Sequence, residues 1–172
     1  MRAFLPERMK KMDLQLKPMT RERMHQLYRD FAFDPDIFMD MSLMKEYRYD
    51  PARVDALYDK RAQEKNSFAF AIVLGEAVIG EVGLRHVDTE KKECELSIHM
   101  QNDSVKNRGY GTRAEKLALE YAFDTLGMEA VRADSVLKNK RSQHVLEKVG
   151  FRFVREEDIF RYYRLEKKDW RK

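Results

Sequence analysis

Glu93-Cys94-Glu95-Leu96-Ser97-Ile98-His99-Met100 alternates polar and apolar side chains, and Lys106-Asn107-Arg108-Gly109-Tyr110-Gly111-Thr112, just beyond it, opens a segment of different period. From Gly109 to Leu126, Ala114, Leu117, Ala118, Tyr121 and Ala122 fall on one helical face, and Gly127 supplies the stop. A period of about 2 giving way to one of about 3.6 marks a strand, a loop and a helix in succession. Glycine in that loop lets backbone N–H groups approach an anion closely, and the helix N-terminus adds about half a positive charge. The arrangement suits a diphosphate. Its spacing matches neither the ATP-binding glycine loop nor the dinucleotide G-x-G-x-x-G pattern, so ATP and NAD are poor candidates.

Upstream, Leu14 to Lys17 alternates as a half-buried strand, and Thr20 caps a helix carrying Met24, Leu27, Tyr28 and Phe31. Asp50 and Pro51 start a second helix, with Val54, Leu57, Tyr58 and Arg61 on one face. Ser67 to Leu74 and Ala77 to His86 precede the Glu93 to Met100 strand in a meander, with a tight turn at Gly75 and Glu76. Downstream come a strand at Ala130 to Leu137, a short helix at Arg141 to Val149 stopped by Gly150, and strands at Phe151 to Val154 and Phe160 to Leu165. This order predicts a mixed α/β (α+β) domain: a sheet of about six to seven strands, first an antiparallel meander and then a parallel pair, flanked by about four helices. Residues 13–168 read as one domain, and residues 1–12 as a poorly structured extension.

The 172 residues are 43% hydrophobic and 37% charged, enough apolar material for one core. The net charge of +4 is spread among interspersed acids and bases, which disfavours a purely nucleic-acid-binding role. Cys94 is the single cysteine, so no internal disulfide forms, and no Cys/His cluster has metal-binding spacing. A reducing, cytoplasmic setting follows. No segment approaches the roughly 20 apolar residues that span a bilayer.

The loop at 106–112, followed one strand later by Asn139-Lys140-Arg141-Ser142 and Gly150-Phe151, resembles the GNAT superfamily of N-acetyltransferases. Lys106 takes the first position of that family's loop, where glutamine or arginine is usual. The 139–151 stretch looks most like the branch of ribosomal-protein N-terminal acetyltransferases and their polyamine- and aminoglycoside-acetylating relatives. The resemblance implies acetyl-CoA as co-substrate and no metal. It implies that Leu96 to Met100 splays from Val131 to Val136 to admit the pantetheine arm. The backbone of Ile98 and Met100 would hold that arm and polarise the thioester carbonyl, an oriented N–H at a developing oxyanion being worth ~3 kcal/mol. The backbone of Arg108, Gly109, Tyr110, Gly111 and Thr112 would hold the diphosphate, with Lys106, Asn107, Asn139 and Arg141 as further coenzyme contacts. Basic residues of the loop, partly offset by Glu115, and a second basic cluster at Lys138, Lys140 and Arg141 suit an anionic coenzyme.

An ε-amine of pKa near 10.4 is only ~0.04% neutral at pH 7, so a base matters for lysine-like or polyamine acceptors. Glu81 and Glu95, on adjacent strands, are the candidates, with water as the alternative. His86 and His99 lack an identifiable partner. The thiolate leaving group is less demanding, which favours direct attack in a ternary complex and leaves Cys94 unneeded as an acyl carrier. The tyrosine that commonly protonates this thiolate in the family is replaced by Leu146; Ser142, one turn earlier, is the substitute donor or a helix cap. Between Asp30 and Asp50 six acids face two bases, among Phe33, Phe38, Tyr47 and several methionines. Such a wall favours a cation with apolar surface: a peptide N-terminus, a polyamine or another small amine. Tyr162 and Tyr163 would line the same cleft or a dimer interface. The chain thus reads as a monomeric or homodimeric N-acetyltransferase or, with Leu146 in place of the usual acid, as a non-catalytic acyl-CoA sensor or interaction module.

Overall fold

The computed structural model describes residues 13–35 and 46–171. The elements are β1 (Leu14–Pro18), α1 (Arg21–Arg29), α2 (Pro51–Ala62), β2 (Phe68–Leu74), β3 (Ala77–Asp88), β4 (Glu93–Met100), α3 (Tyr110–Glu120), β5 (Ala130–Val136), α4 (Lys140–Val149), β6 (Arg152–Glu157) and β7 (Phe160–Glu166). Seven strands form one sheet in the order β1-β2-β3-β4-β5-β7-β6. All neighbours are antiparallel except β4 and β5. The expected extension at 1–12 lies outside the described residues. Among those described, no helix is long and apolar enough to cross a membrane.

Local chemistry sets the boundaries. Thr20 accepts from the Arg23 N–H at the start of α1, and Asp50 accepts from Ala52 and Arg53 ahead of Pro51 in α2. Gly109, at φ 79°, turns the chain into α3, a conformation L side chains avoid. Where periodicity predicts one helix from 109 to 126, the α-helix ends at Glu120 and a π-helical turn, Tyr121–Thr125, completes it. Strand β3 runs past the expected end at His86, which takes φ 50° at an irregularity in the β3–β4 ladder.

Two hydrophobic layers sandwich the sheet. The larger joins Cys94 and Leu96 of β4 and Val131 and Ala133 of β5 to Ala114, Ala118, Leu119 and Ala122 of α3 and to Leu146 and Val149 of α4. Small side chains at helical spacing bring α3 close to the strands. A smaller cluster, Leu27, Ala71, Val73 and Val78, lies beneath α1. Alternation along β4 therefore directs Cys94, Leu96, Ile98 and Met100 toward α3 and leaves Glu95, Ser97 and His99 on the other face. Burial pushes the Cys94 thiol up to about 11, so it carries no thiolate at pH 7.

The β4–β5 ladder is short. It pairs Glu93 with Ala130, Cys94 with Val131 and Glu95 with Arg132, and stops there. Beyond it β4 continues with β3 through Val82↔Ile98 and Gly80↔Met100, while β5 continues with β7. The two strands diverge, leaving an opening through the sheet beside Ile98 and Met100.

Candidate active site

A cavity of about 180 Å³ occupies that opening. Ile98, His99 and Met100 of β4 contribute to its wall. At one end lie Lys106, Asn107, Gly109, Gly111 and Thr112; at the other, Phe31, Ala32 and Asp34. Asn139, Arg141, Ser142 and Val145 of α4 and Glu115 of α3 complete it. The cavity thus runs from the glycine loop, through the parted strands, to the face covered by α1.

The loop end fits an anionic coenzyme. A Cβ placed on Gly109 or Gly111 would meet no atom within 4 Å, so the space beside the N-terminus of α3 is open to a ligand. Its free N–H groups converge on that space, as helix N-termini that bind phosphate do. Arg108 is exposed and Tyr110 packs toward the core, and neither side chain belongs to the cavity wall. Lys106 is already engaged, its Nζ lying 2.6 Å from Asp34 Oδ2 and 3.0 Å from Asp103. Arg141 stands 3.8 Å from the same Asp34 oxygen. Asp34 thereby ties the connection after α1 to the glycine loop and to α4.

On α4, Asn139 is the N-cap, its Oδ1 accepting from the Ser142 N–H at 3.0 Å. Both residues also face the cavity. Leu146 is 2% exposed and belongs to the core, so no donor replaces the family's tyrosine at that position.

The two carboxylates expected as bases lie elsewhere. Glu81 is 3% exposed and accepts from Arg61 Nη1 through both oxygens, at 2.7 and 2.8 Å. It borders a separate cavity of about 380 Å³ with Arg61, Lys60 and Ser67, on the α2 side. Glu95 stands opposite Arg85 on β3 and Arg132 on β5, in the paired part of β4, and borders neither cavity. The pairing of Glu81 with Arg61 is worth testing for stability. Replacing Arg61 by Met would leave a buried carboxylate without its partner, an expected loss of about 3 kcal/mol in urea denaturation, most of it restored in the Arg61→Met/Glu81→Gln double variant.

His99 is the polar group that the sequence undervalued. Register places it opposite Glu81, its Nε2 is buried without a hydrogen-bond partner, and it lines the cavity. Burial, reinforced by the charges of Arg61 and Arg85, holds its pKa below the usual histidine value against the opposing pull of Glu81, so the ring is neutral at pH 7. Its centroid lies 5.6 Å from Phe31 and 6.2 Å from Tyr28. Phe31 in turn meets Phe33 at 5.5 Å and Tyr47 at 5.3 Å. Phe33 and Tyr47 line an adjoining hollow with Tyr28, Glu46, Arg48 and Asp50. Phe38 lies outside the described residues. In the described part of this wall three of the four acids are offset: Asp34 by Lys106, Glu46 by Arg48 at 3.3 Å and Asp50 by Arg53 at 3.5 Å. Aromatic rings, more than net charge, characterise it. Tyr163 is 1% exposed, its hydroxyl donating to Glu147, and Tyr162 stacks against Arg155; neither lines the cleft.

Comparison with known proteins agrees with this architecture. Spermidine N(1)-acetyltransferase of Escherichia coli (strain K12) is 23% identical over 142 residues, covering 80% of this chain and 72% of the relative. The spermidine N-acetyltransferase of Vibrio cholerae in complex with CoA and spermine superposes with a TM-score of 0.72 at 16% identity, covering 91% of this chain and 96% of that one. A dodecameric structure of the Vibrio cholerae enzyme gives 0.68 at 17% identity, covering 89% and 93%. These relatives acetylate a polyamine; they give no support to the ribosomal-protein part of the branch that the 139–151 stretch resembles. The family model for the acetyltransferase (GNAT) domain matches residues 13–152, and the chain belongs to the GNAT acetyltransferase family.

Proposed function

We propose that this protein transfers an acetyl group from acetyl-CoA to a primary amine of a polyamine by direct attack in a ternary complex. One observation carries the reading: a single cavity joins the glycine loop to an aromatic face by way of the gap between β4 and β5. Acetyl-CoA, when bound, supplies a thioester carbon to which the amine nitrogen bonds as the carbon–sulfur bond breaks. The N–H groups at the start of α3 would hold its diphosphate, and β4 beside Ile98 and Met100 would hold its pantetheine arm. Phe31, Phe33 and Tyr47 would receive the alkyl spacers and further ammonium groups of the acceptor, a cation over a ring being worth ~0.5–2 kcal/mol.

His99 takes the role of base in this scheme, replacing the two glutamates. It is neutral, it has a nitrogen free, and it stands where the acceptor face meets the parted strands. Glu81, across the ladder, favours the imidazolium that forms, while Arg61 and Arg85 oppose it. Ser142, which lines the cavity, would donate to the departing sulfur, with Asn139 capping the turn that carries it. Because a thiolate leaves readily, Ser142→Ala is expected to lower kcat by no more than about tenfold with coenzyme binding kept; unchanged turnover would return Ser142 to helix capping alone.

Leu146 favours a second reading, a coenzyme-binding module without catalysis. Thermal shift with acetyl-CoA followed by free-thiol release separates the two, using spermidine, spermine, Ser/Ala-starting peptides, lysine peptides and aminoglycosides as acceptors. Ligand at 100 times its Kd should stabilise by about 2.7 kcal/mol. Thiol release that depends on a polyamine supports transfer. Stabilisation without release from any amine supports the module, and preference for the peptides would move the acceptor assignment to N-termini.

A further inference from the structure

Glu115 is the one charged residue on the buried face of α3, and it is 1% exposed. Its Oε2 is buried without a hydrogen-bond partner, and the side chain helps line the cavity between β4 and α4. An ionised carboxylate there would be desolvated and uncompensated, so the group is held as the neutral acid. The titratable groups that share the cavity with Glu115 are Asp34, His99 of β4, Lys106 and Arg141 of α4, and Cys94 of β4 lies in the core between that strand and α3. On α3 itself Arg113 and Lys116 are exposed. None of these sets its ionisation; burial alone raises it to about 8. At pH 7 the side chain is therefore a hydrogen-bond donor as well as an acceptor.

What it faces follows from helix geometry. Gly111 and Glu115 share a face of α3 and are separated along its axis by about 6 Å. A coenzyme whose diphosphate sits at the N-terminus of α3 and whose chain enters the gap beside Ile98 presents its amide-bearing arm at that depth. We propose that Glu115, as a carboxylic acid, donates a hydrogen bond to an amide carbonyl of the pantetheine arm and so selects an acyl carrier that has this arm over the bare nucleotide. The inference rests on the coenzyme reading above and extends it to a residue outside the glycine loop.

Binding read by calorimetry tests it without relying on turnover. The probes are S-methyl coenzyme A, which has no titrating thiol, and 3′,5′-ADP, which lacks the arm. A site that needs the protonated acid loses affinity as pH rises above the free-protein pKa of about 8. The Kd for S-methyl coenzyme A is expected to rise several-fold to about tenfold from pH 8 to pH 9, with uptake of close to one proton per coenzyme at pH 9. Glu115→Gln, which keeps a donor and cannot ionise, should bind with no such rise, and 3′,5′-ADP should show none with either protein. A wild-type Kd that stays level with no proton uptake overturns the proposal, as does the same rise in Glu115→Gln or with 3′,5′-ADP. Proton uptake is measured on the wild-type protein, so the test stands even if the variant fails to fold. Level binding with normal affinity removes only the role of Glu115, whereas no binding of S-methyl coenzyme A at pH 7 removes the coenzyme reading with it.

Discussion

Gly111→Val is expected to raise the Kd for coenzyme A at least about a hundredfold while leaving the melting temperature within a few degrees of the parent. Beyond its chain neighbours and the helix backbone, a Cβ added at Gly111 meets nothing within 4 Å, so valine projects into the open region assigned to the diphosphate. Two hydrogen bonds from backbone N–H to a charged oxygen, at about 1.5–3 kcal/mol each, give about 3–6 kcal/mol if both are lost. Helix propensity points the other way, valine being slightly better than glycine within α3. Gly109 is a poorer choice for this experiment. At φ 79° it would strain any branched side chain, and lost binding could not be separated from lost structure. Calorimetry and a melting curve on Gly111→Val suffice; binding within threefold of the parent would mean that the diphosphate is held elsewhere.

The second large effect concerns His99. Replacing it by Ala or Gln should lower kcat with spermidine by 10² to 10⁴, the usual contribution of a positioned base, with little change in the Kd for coenzyme A. Glutamine keeps a polar side chain of similar length, so a fall shared by both variants belongs to the lost proton acceptor and not to lost volume beside Phe31. The pH profile carries a sign. A histidine whose pKa is lowered by burial stays unprotonated further into acid, so the limb of kcat due to His99 lies below the ordinary histidine pKa of 6.5 and disappears in both variants. Retention of that limb in His99→Gln would assign the proton to water or to Glu81.

The sheet was legible because its signals are local. Alternation in Glu93 to Met100, the switch to helical spacing after Gly109 and the stops at Gly127 and Gly150 each act within a few residues, and the order of elements left one place for a parallel pair. The acceptor side was less legible because its chemistry is made by distant partners. Glu81 reads as a free strand carboxylate until α2 brings Arg61 onto it, and Lys106 reads as a phosphate ligand until Asp34 closes on it from 72 residues away. Glu115 reads as an acid offsetting the basic residues of the loop, although it follows Ala114 on the small-residue face of α3. A lone acid on that face was the available signal. For His99 the signal was its place one residue after Ile98: alternation that turns Ile98 toward α3 turns the histidine toward α1.

A crystal structure with coenzyme A tests the central claim most directly. The account predicts diphosphate oxygens at about 2.7–3.2 Å from backbone N–H groups within 109–112, with the pantetheine arm passing between Ile98 of β4 and β5. A coenzyme bound with its diphosphate away from the start of α3, or with β4 and β5 closed into a continuous ladder, would contradict it.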